Sequence, residues 1–349
     1  MTKTVFVGMS GGVDSSVSAG LLKKQGYSVV GVHLRCFNLD GCADRDLEDA
    51  RRAAEVLDIP FYVFDFEDAY KKRVMEYMID GYKKGITPNP DVMCNKEIKF
   101  GLFLEKALEM GADFVATGHY VKIKRGKEQK LFIAADKNKD QSYFLWTLTQ
   151  KQLRRCLFPL GDIKKLEVRK LARKFKLLNA DKKDSQGICF LGKVGLEDFL
   201  KKYIKSKKGN IVDLDGNILG KHDGVFYYTI GQRHGLHLDK AAKSPESAPY
   251  YVADKILKTN TLVVAQGENN PALFRKEVKL VNLNFINKVK NNQVVYLRVR
   301  YRQPLFKAKI LIKNGVKLIF SDPQKFIAVG QSAVFYGKNR QMLGGGIIK

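Results

Sequence analysis

The chain has 349 residues, and it is short of cysteine, tryptophan and long apolar runs. No stretch approaches the roughly 20 consecutive apolar residues that span a bilayer, which excludes a helical membrane anchor and a membrane partner. The five cysteines, Cys36, Cys42, Cys94, Cys156 and Cys189, are odd in number and widely scattered. That excludes a disulfide framework as the source of stability. Met1 leads straight into an apolar run, so we expect no signal peptide and a cytoplasmic protein. Neither an internal repeat nor a low-complexity tract is present. Acidic residues are scarce in one part of the chain only. Lys and Arg against Asp and Glu number 14 and 15 in residues 1–100, 21 and 12 in 101–200, and 27 and 9 in 201–349. The net charge of +26 is therefore carried by the later parts, as −1, +9 and +18. A generally lysine-rich composition would raise the first hundred residues too. The skew points to a polyanion-binding surface built after residue 100.

The apolar pattern alternates strand and helix in the first half. Strands are expected at Thr4–Gly8, Ser28–Leu34, Phe61–Phe66 and Asp113–Thr117, with helices at Ser15–Lys24, Asp44–Leu57 and Asn95–Met110. Gly26 and Gly111 stand where helices stop. Helical pattern continues from Asp140 to about Lys174, and Asp198–Lys205 reads as a last helix. Such alternation predicts an α/β, doubly wound parallel sheet with its ligand beyond the carboxyl ends of the strands. Asp213–Asn217 reads as a hairpin turn. From about residue 269 only strand signals remain: Glu277–Leu283, Asn292–Tyr301, Ala308–Ile312, Lys317–Phe320, Ser332–Tyr336 and Met342–Ile348. Short strands separated by turn residues predict a small β-barrel. The expected division is 1–200, 201–268 and 269–349.

Ser10-Gly11-Gly12-Val13-Asp14-Ser15-Ser16 lies between the first strand and the first helix. Two glycines let the backbone approach an anion, the helix start contributes free N–H groups, and Ser10, Ser15 and Ser16 can add hydroxyl donors. No Gly-Lys-Ser/Thr follows, so it is not a Walker loop. The motif resembles the loop of the N-type ATP pyrophosphatases. Thr117-Gly118-His119-Tyr120 follows the fourth strand and lies at the same sheet edge.

Two cysteines sit in motif-like surroundings. Cys94 follows Pro88-Asn89-Pro90-Asp91, close to the expected start of the Asn95 helix, where a thiol pKa is lowered. Asp91 is three residues away and can handle protons. Cys189 lies in the loop-like Asp184–Phe190. Cys36, Cys42 and Cys156 read as small buried hydrophobes. Cys36 and Cys42, with only His33 nearby, are a weak metal signal. Sequence spacing does not show whether the thiols of Cys94 and Cys189 meet.

Taken with Thr87–Phe100, Lys139–Leu145, Asp184–Gly192, Thr229–Leu236 and Arg300-Tyr301-Arg302, in this order, the chain resembles the bacterial tRNA-specific 2-thiouridylases over essentially its whole length. The resemblance implies an ATP-pyrophosphatase domain, a small central tRNA-binding domain and a C-terminal β-barrel. It implies ATP-dependent insertion of sulfur at position 2 of the wobble uridine of tRNA. It places ATP on Gly8, Met9, Ser10, Gly11, Gly12, Val13, Asp14 and Ser15, with Leu34 and Gly118 beside the nucleotide. Cys189 is then the persulfide carrier, Cys94 the thiol that cleaves it to leave a Cys94–Cys189 disulfide, and Asp91 the general base. Asn89, Pro90 and Asp91 would line a flipped base. His119, Lys139, Asp140, Gln141, Arg300, Tyr301 and Gln331 would contact tRNA. Mg²⁺ is expected with ATP, bridging phosphates, and no protein ligand set is assigned to it. The implied partners are tRNA and a sulfur-donor protein carrying a persulfide. Asp91, Cys94 and Cys189 could instead ligate an iron–sulfur cluster, although their spacing forms no cluster motif. Another ATP-pyrophosphatase ligase acting on a small-molecule carbonyl would explain the glycine loop but not the basic tail. A non-catalytic RNA-binding protein would explain the tail but not the intact loop.

Overall fold

The structure is a computed structural model that describes residues 2–37, 42–183, 191, 194–239 and 248–349. Cys189 and its loop therefore lie outside the described residues, as does the side chain of Cys42. The first sheet contains β1 (Thr4–Gly8), β2 (Ser28–Arg35), β3 (Phe61–Asp65) and β4 (Phe114–Ala116). A hairpin of β5 (Val121–Lys124) and β6 (Lys130–Ile133) follows, and then β7 (Cys156–Leu157). The sheet order is β3-β2-β1-β4-β7 and every pairing is parallel. Val5, Phe6 and Val7 of central β1 are all buried, as a strand covered on both faces requires. The helix Val13–Lys24 packs beside the helix Lys165–Lys174. A Cβ on Gly20 would lie 2.8 Å from the Phe175 ring, so only glycine lets that ring seat there without displacement.

Two expectations are corrected. The helical pattern of Asp140–Lys174 is mostly not helix. It resolves into a 3-10 turn at Ser142–Leu145, one helical turn at Gln150–Leu153, strand β7, and a helix only from Lys165. The Thr149–Gln152 capping box starts that single turn, and Cys156–Leu157 then pairs with β4 as the edge of the sheet. The Asn95 helix instead starts at Pro90. It runs through a stretch of i→i+5 hydrogen bonding at Cys94–Leu102 into Phe103–Glu109. The β5–β6 hairpin was not among the expected strands.

The Asp213–Asn217 hairpin joins β8 (Gly209–Val212) to β9 (Ile218–His222). With β10 (Tyr250–Ile256) and β11 (Thr261–Gln266) these form a sheet of order β10-β11-β8-β9. The last six strands are β12 (Phe274–Phe285), β13 (Gln293–Arg298), β14 (Phe306–Ile312), β15 (Val316–Lys325), β16 (Ser332–Tyr336) and β17 (Gln341–Ile348). They close into a barrel through the β12–β17 pairing. β12 serves two neighbours, β15 and β17, by bending at irregularities after Arg275 and after Val281. The barrel does not stand alone, because β17 also pairs with β6. Among the described residues no helix is long and apolar enough to cross a membrane.

Candidate active site

The glycine loop leaves β1 at the carboxyl edge of the sheet and enters the helix Val13–Lys24 with Gly12 as N-cap. Gly11 has φ +74°, and a Cβ there would come within 2.3 Å of the Asp46 carbonyl oxygen. Both facts require glycine. Gly118 is brought against the loop, since a Cβ on it would lie 2.8 Å from the Ser15 amide nitrogen. Hydroxyls were expected to face the ligand, but two of them face inward. Ser15 Oγ and Ser16 Oγ donate to the Gly12 carbonyl at 3.1 and 3.2 Å, and both residues are buried. Only Ser10 is exposed. Met9 is fixed by its neighbours: its N–H donates to Val32 O, and its carbonyl accepts from His33 Nδ1 at 3.0 Å. Burial lowers the His33 pKa, so a neutral ring donates this bond. Leu34 is partly buried near the end of β2, in register with Phe64.

Asp14 stands in the first turn of the helix, where its carboxylate accepts from Tyr120 Oη at 2.7 Å. Both carboxylate oxygens also accept from Lys165 Nζ at 2.8 Å. Tyr120 ends the Thr117–Tyr120 motif but carried no expected role, and Lys165 was not singled out by the sequence. Their signal is tertiary, because a lysine in a basic helix and the last residue of a motif look ordinary in one dimension. Asn179 and Lys182 were missed likewise. Asn179 Nδ2 donates to Gly11 O, and Lys182 Nζ to the carboxylates of Asp46 and Asp49.

The second cluster is carried by the helix that begins at Pro90. Asn89 Oδ1 accepts from Val92 N at 3.2 Å, and proline occupies the first helical position. Cys94 therefore lies a full turn inside the helix and is buried. The expected activation of its thiol by a helix N-terminus does not apply, since the first-turn residue is Asp91. Burial pushes the Asp91 carboxyl up to about 6, against the opposing charge of Lys99. Burial, and then Lys99, hold the His119 pKa well below its ordinary value. His119 Nδ1 is 2.8 Å from Thr117 Oγ1, and its ring lies 5.9 Å from that of Phe100. One helical rod thus carries Asp91 and Cys94 at its start, meets His119 through Phe100, and meets Gly8 through Phe103. Among the described residues no group of three or more His, Cys, Asp or Glu is placed to hold a metal.

The residues expected to contact tRNA fall into two sets. The Asp140 side chain is not available: its carboxylate is wholly covered and accepts from Arg298, Ser142 and Ala134 N–H, so that side chain has no atom to offer a polynucleotide. Gln141 accepts from Tyr120 N–H through Oε1, which shapes the loop after Gly118. Lys139 beside them is partly exposed. His119 is buried. Around the Thr87–Asp91 turn, by contrast, three parts of the chain converge. Gln331 Nε2, after β15, donates to the carbonyls of Thr87 and Pro88 at 2.9 and 3.2 Å. Thr87 Oγ1 meets Thr229 Oγ1 at 3.3 Å. Arg300 donates to Ile230 O, and its guanidinium lies over the Phe326 ring. Tyr301 packs on Phe144 with ring centroids 4.5 Å apart, and the Arg302 guanidinium lies over the Tyr301 ring, 5.3 Å from its centroid.

Three family models match consecutive stretches of the chain. They are a tRNA methyl transferase HUP domain over residues 3–193, a tRNA methyl transferase PRC-barrel domain over 197–266, and an aminomethyltransferase beta-barrel domain over 275–348. Among curated relatives, tRNA-specific 2-thiouridylase MnmA 1 of Geobacillus kaustophilus is 48% identical, over 99% of this chain and 95% of its own. The MnmA enzymes of Listeria monocytogenes and Blochmanniella floridana are 44% and 45% identical, each over 99% of this chain and 94% and 97% of theirs. A solved 4-thiouridine synthetase–RNA complex with bound ATP matches more distantly, at 19% identity and TM-score 0.36, over 55% of this chain and 46% of its own. Identity of 48% over 99% of the chain, with family models matched in turn to all three parts, is decisive: the chain belongs to the family of tRNA-specific 2-thiouridylases.

Proposed function

We propose that the protein replaces the 2-oxygen of the wobble uridine of tRNA with sulfur, consuming ATP and releasing AMP and pyrophosphate. The observation that carries this is the single helix linking the glycine loop to the Asn89–Cys94 turn, with the central and barrel parts meeting that turn through Thr229 and Gln331. The domains are taken as 1–200, 201–268 and 269–349. ATP rests on Gly8–Ser15, with Leu34 and Gly118 beside it. The amides at the helix start, which have no acceptor among the described residues, would face the phosphates, and Lys165 stands within reach of added negative charge at Asp14. Mg²⁺, when bound with ATP, would supply charge neutralisation to the phosphates; Asp14, its carboxylate paired with Lys165, is the carboxylate near them.

The uracil O2 attacks the α-phosphorus and pyrophosphate leaves, so that oxygen becomes a good leaving group. Asp91, with its raised pKa, takes the proton from uridine N3 as O2 is adenylated and returns it to N3 as sulfur adds at C2. The terminal sulfur of a Cys189 persulfide adds to C2. Cys94 thiolate then attacks Cys189 Sγ, forming the Cys94–Cys189 disulfide and leaving the transferred sulfur on C2 as AMP departs. A reductant resets the disulfide. His119, Lys139, Gln141, Arg300, Tyr301 and Gln331 position the tRNA, and Asn89, Pro90 and Asp91 border the extruded base. A persulfide-bearing donor protein supplies the sulfur.

Purified protein given tRNA, ATP and a persulfide donor is expected to yield 2-thiouridine, read by mass spectrometry of tRNA nucleosides. Pyrophosphate release should require tRNA, which a ligase of small molecules would not. Asp14→Ala should abolish pyrophosphate release and leave tRNA binding intact. Undiminished release in that variant would overturn the assignment of the loop.

A further inference from the structure

The Gly11–Gly12 peptide is held from behind. Gly11 O accepts from Asn179 Nδ2 at 3.1 Å and, more weakly, from Lys182 Nζ at 3.4 Å. Asn179 Nδ2 also donates to Ser16 Oγ at 3.0 Å. Because a carbonyl only accepts, the nitrogen end of this amide must face the loop, so its orientation is fixed by chemistry. Asn179 is buried, and its Oδ1 has no donor among the described residues. Its two donations are thus kept at the expense of an unsatisfied oxygen. The turn that carries it is fastened as well: Arg169 donates to the carbonyls of Ala180 and Lys182 at 2.6 and 3.0 Å.

A trans peptide points its C=O and N–H to opposite edges of one plane. Tethering Gly11 O toward Asn179 therefore aims Gly12 N–H the other way. That N–H has no acceptor among the described residues. Gly11 at φ +74° has no side chain to oppose a flip of this peptide, so its orientation needs an outside restraint. We propose that Asn179, backed by Lys182, is a positioning residue for the phosphates: it holds the Gly11–Gly12 peptide in the one orientation that presents Gly12 N–H to the nucleotide. Lys182 adds a second effect, since it neutralises Asp46 and Asp49 beside the loop. The inference rests on the nucleotide reading above and adds to it the residue that pre-forms the cradle.

The test is Asn179→Leu, which keeps the volume and removes both donations. ATP and inorganic pyrophosphate are titrated calorimetrically, and adenosine by NMR. We expect ATP and pyrophosphate to bind about tenfold more weakly, the scale of one lost hydrogen bond to a charged group, with adenosine within twofold of wild type. ATP affinity within twofold of wild type would overturn the inference, as would an equal loss for ATP and adenosine, which marks general damage. If Asn179→Leu does not fold, Asn179→Asp, of the same shape but with no donor, is held to the same pattern. Wild-type protein that binds neither ATP nor pyrophosphate would overturn the nucleotide reading itself, and this inference with it.

Discussion

A carboxyl is costly to bury, and Asp91 carries the mark of that cost. Its folded pKa of about 6 lies above the ordinary carboxylate value. The folded state therefore holds its proton where the unfolded chain has released it. Stability from this group is fully present below the unfolded pKa and is lost as pH rises through about 6. Asp91→Asn should raise the melting temperature at pH 8, with the gain shrinking toward pH 4, and should abolish thiolation. Wild-type activity should rise through pH 6 with one titrating group. An unchanged pH profile in the variant would remove Asp91 from the proton transfer. Under the proposed function the cysteines divide in the same way between chemistry and packing. Cys156 is fully buried, donates to Gln152 O at 3.1 Å, and has its thiol pKa raised by burial. Such a thiol is inert. Cys156→Ser should leave thiolation within a few-fold. Cys94→Ser and Cys189→Ser should each eliminate it. Turnover without reductant should leave a 94–189 disulfide in peptide maps, and normal activity of Cys189→Ser would sink the relay. If activity instead follows bound iron, a cluster replaces it.

Helices and strands were legible where one period dominates. Val5-Phe6-Val7 could be read as a buried parallel strand, and Ser332–Tyr336 as a barrel strand, because burial there follows the local pattern. The Asp140–Trp146 segment was misread because its apolar residues do not serve a helix. Tyr143 and Trp146 instead reach across to Ser332, the first through its hydroxyl to the carbonyl and the second through Nε1 to Oγ at 3.0 Å. Asp140 pairs with Arg298 of β13 at 3.0 Å, with both side chains buried. This segment is a clamp between the parallel-sheet part and the barrel, and no one-dimensional period encodes a partner about 190 residues away. The glycine loop was legible because its chemistry is local. Its supports, Lys165 and Asn179, were not, because they come from a different helix and turn. Arg298→Met should destabilise the protein by about 3–5 kcal/mol, the usual cost of leaving a buried charge without its partner. Denaturant melts check this. A loss below about 1 kcal/mol, as for exposed pairs, would mean that Asp140 is not held by this contact alone.

Three sheets and an uneven charge set how the whole molecule meets its substrate. Cutting after residue 100 would remove β4 and β7, so the nearly neutral first hundred residues are not an independent unit. Their charge can be tested only within the full chain. Residues 201–349 carry 27 basic against 9 acidic side chains and build the central sheet and the barrel. Those parts reach the Thr87–Asp91 turn through Thr229 and Gln331, so under the proposed function a tRNA held on the basic surface would lie beside Asp91 and Cys94. Binding driven by phosphates releases counterions, and its affinity falls steeply with salt. Six to ten phosphate contacts cost about 10³–10⁵ in affinity between roughly 50 and 200 mM. Full-length protein should therefore lose at least about a hundredfold in tRNA affinity over that range, measured by filter binding. Reversing charge at Arg300 should reduce the slope as well as the affinity. The guanidinium donates to Ile230 O and sits over Phe326, so its loss also loosens the central part from the barrel. Arg300→Lys, which keeps the charge but not the planar stacking, separates the two effects: the salt slope should return while affinity stays reduced. A tRNA affinity that is flat across this salt range would show that the basic halves of the molecule serve something other than the phosphate backbone.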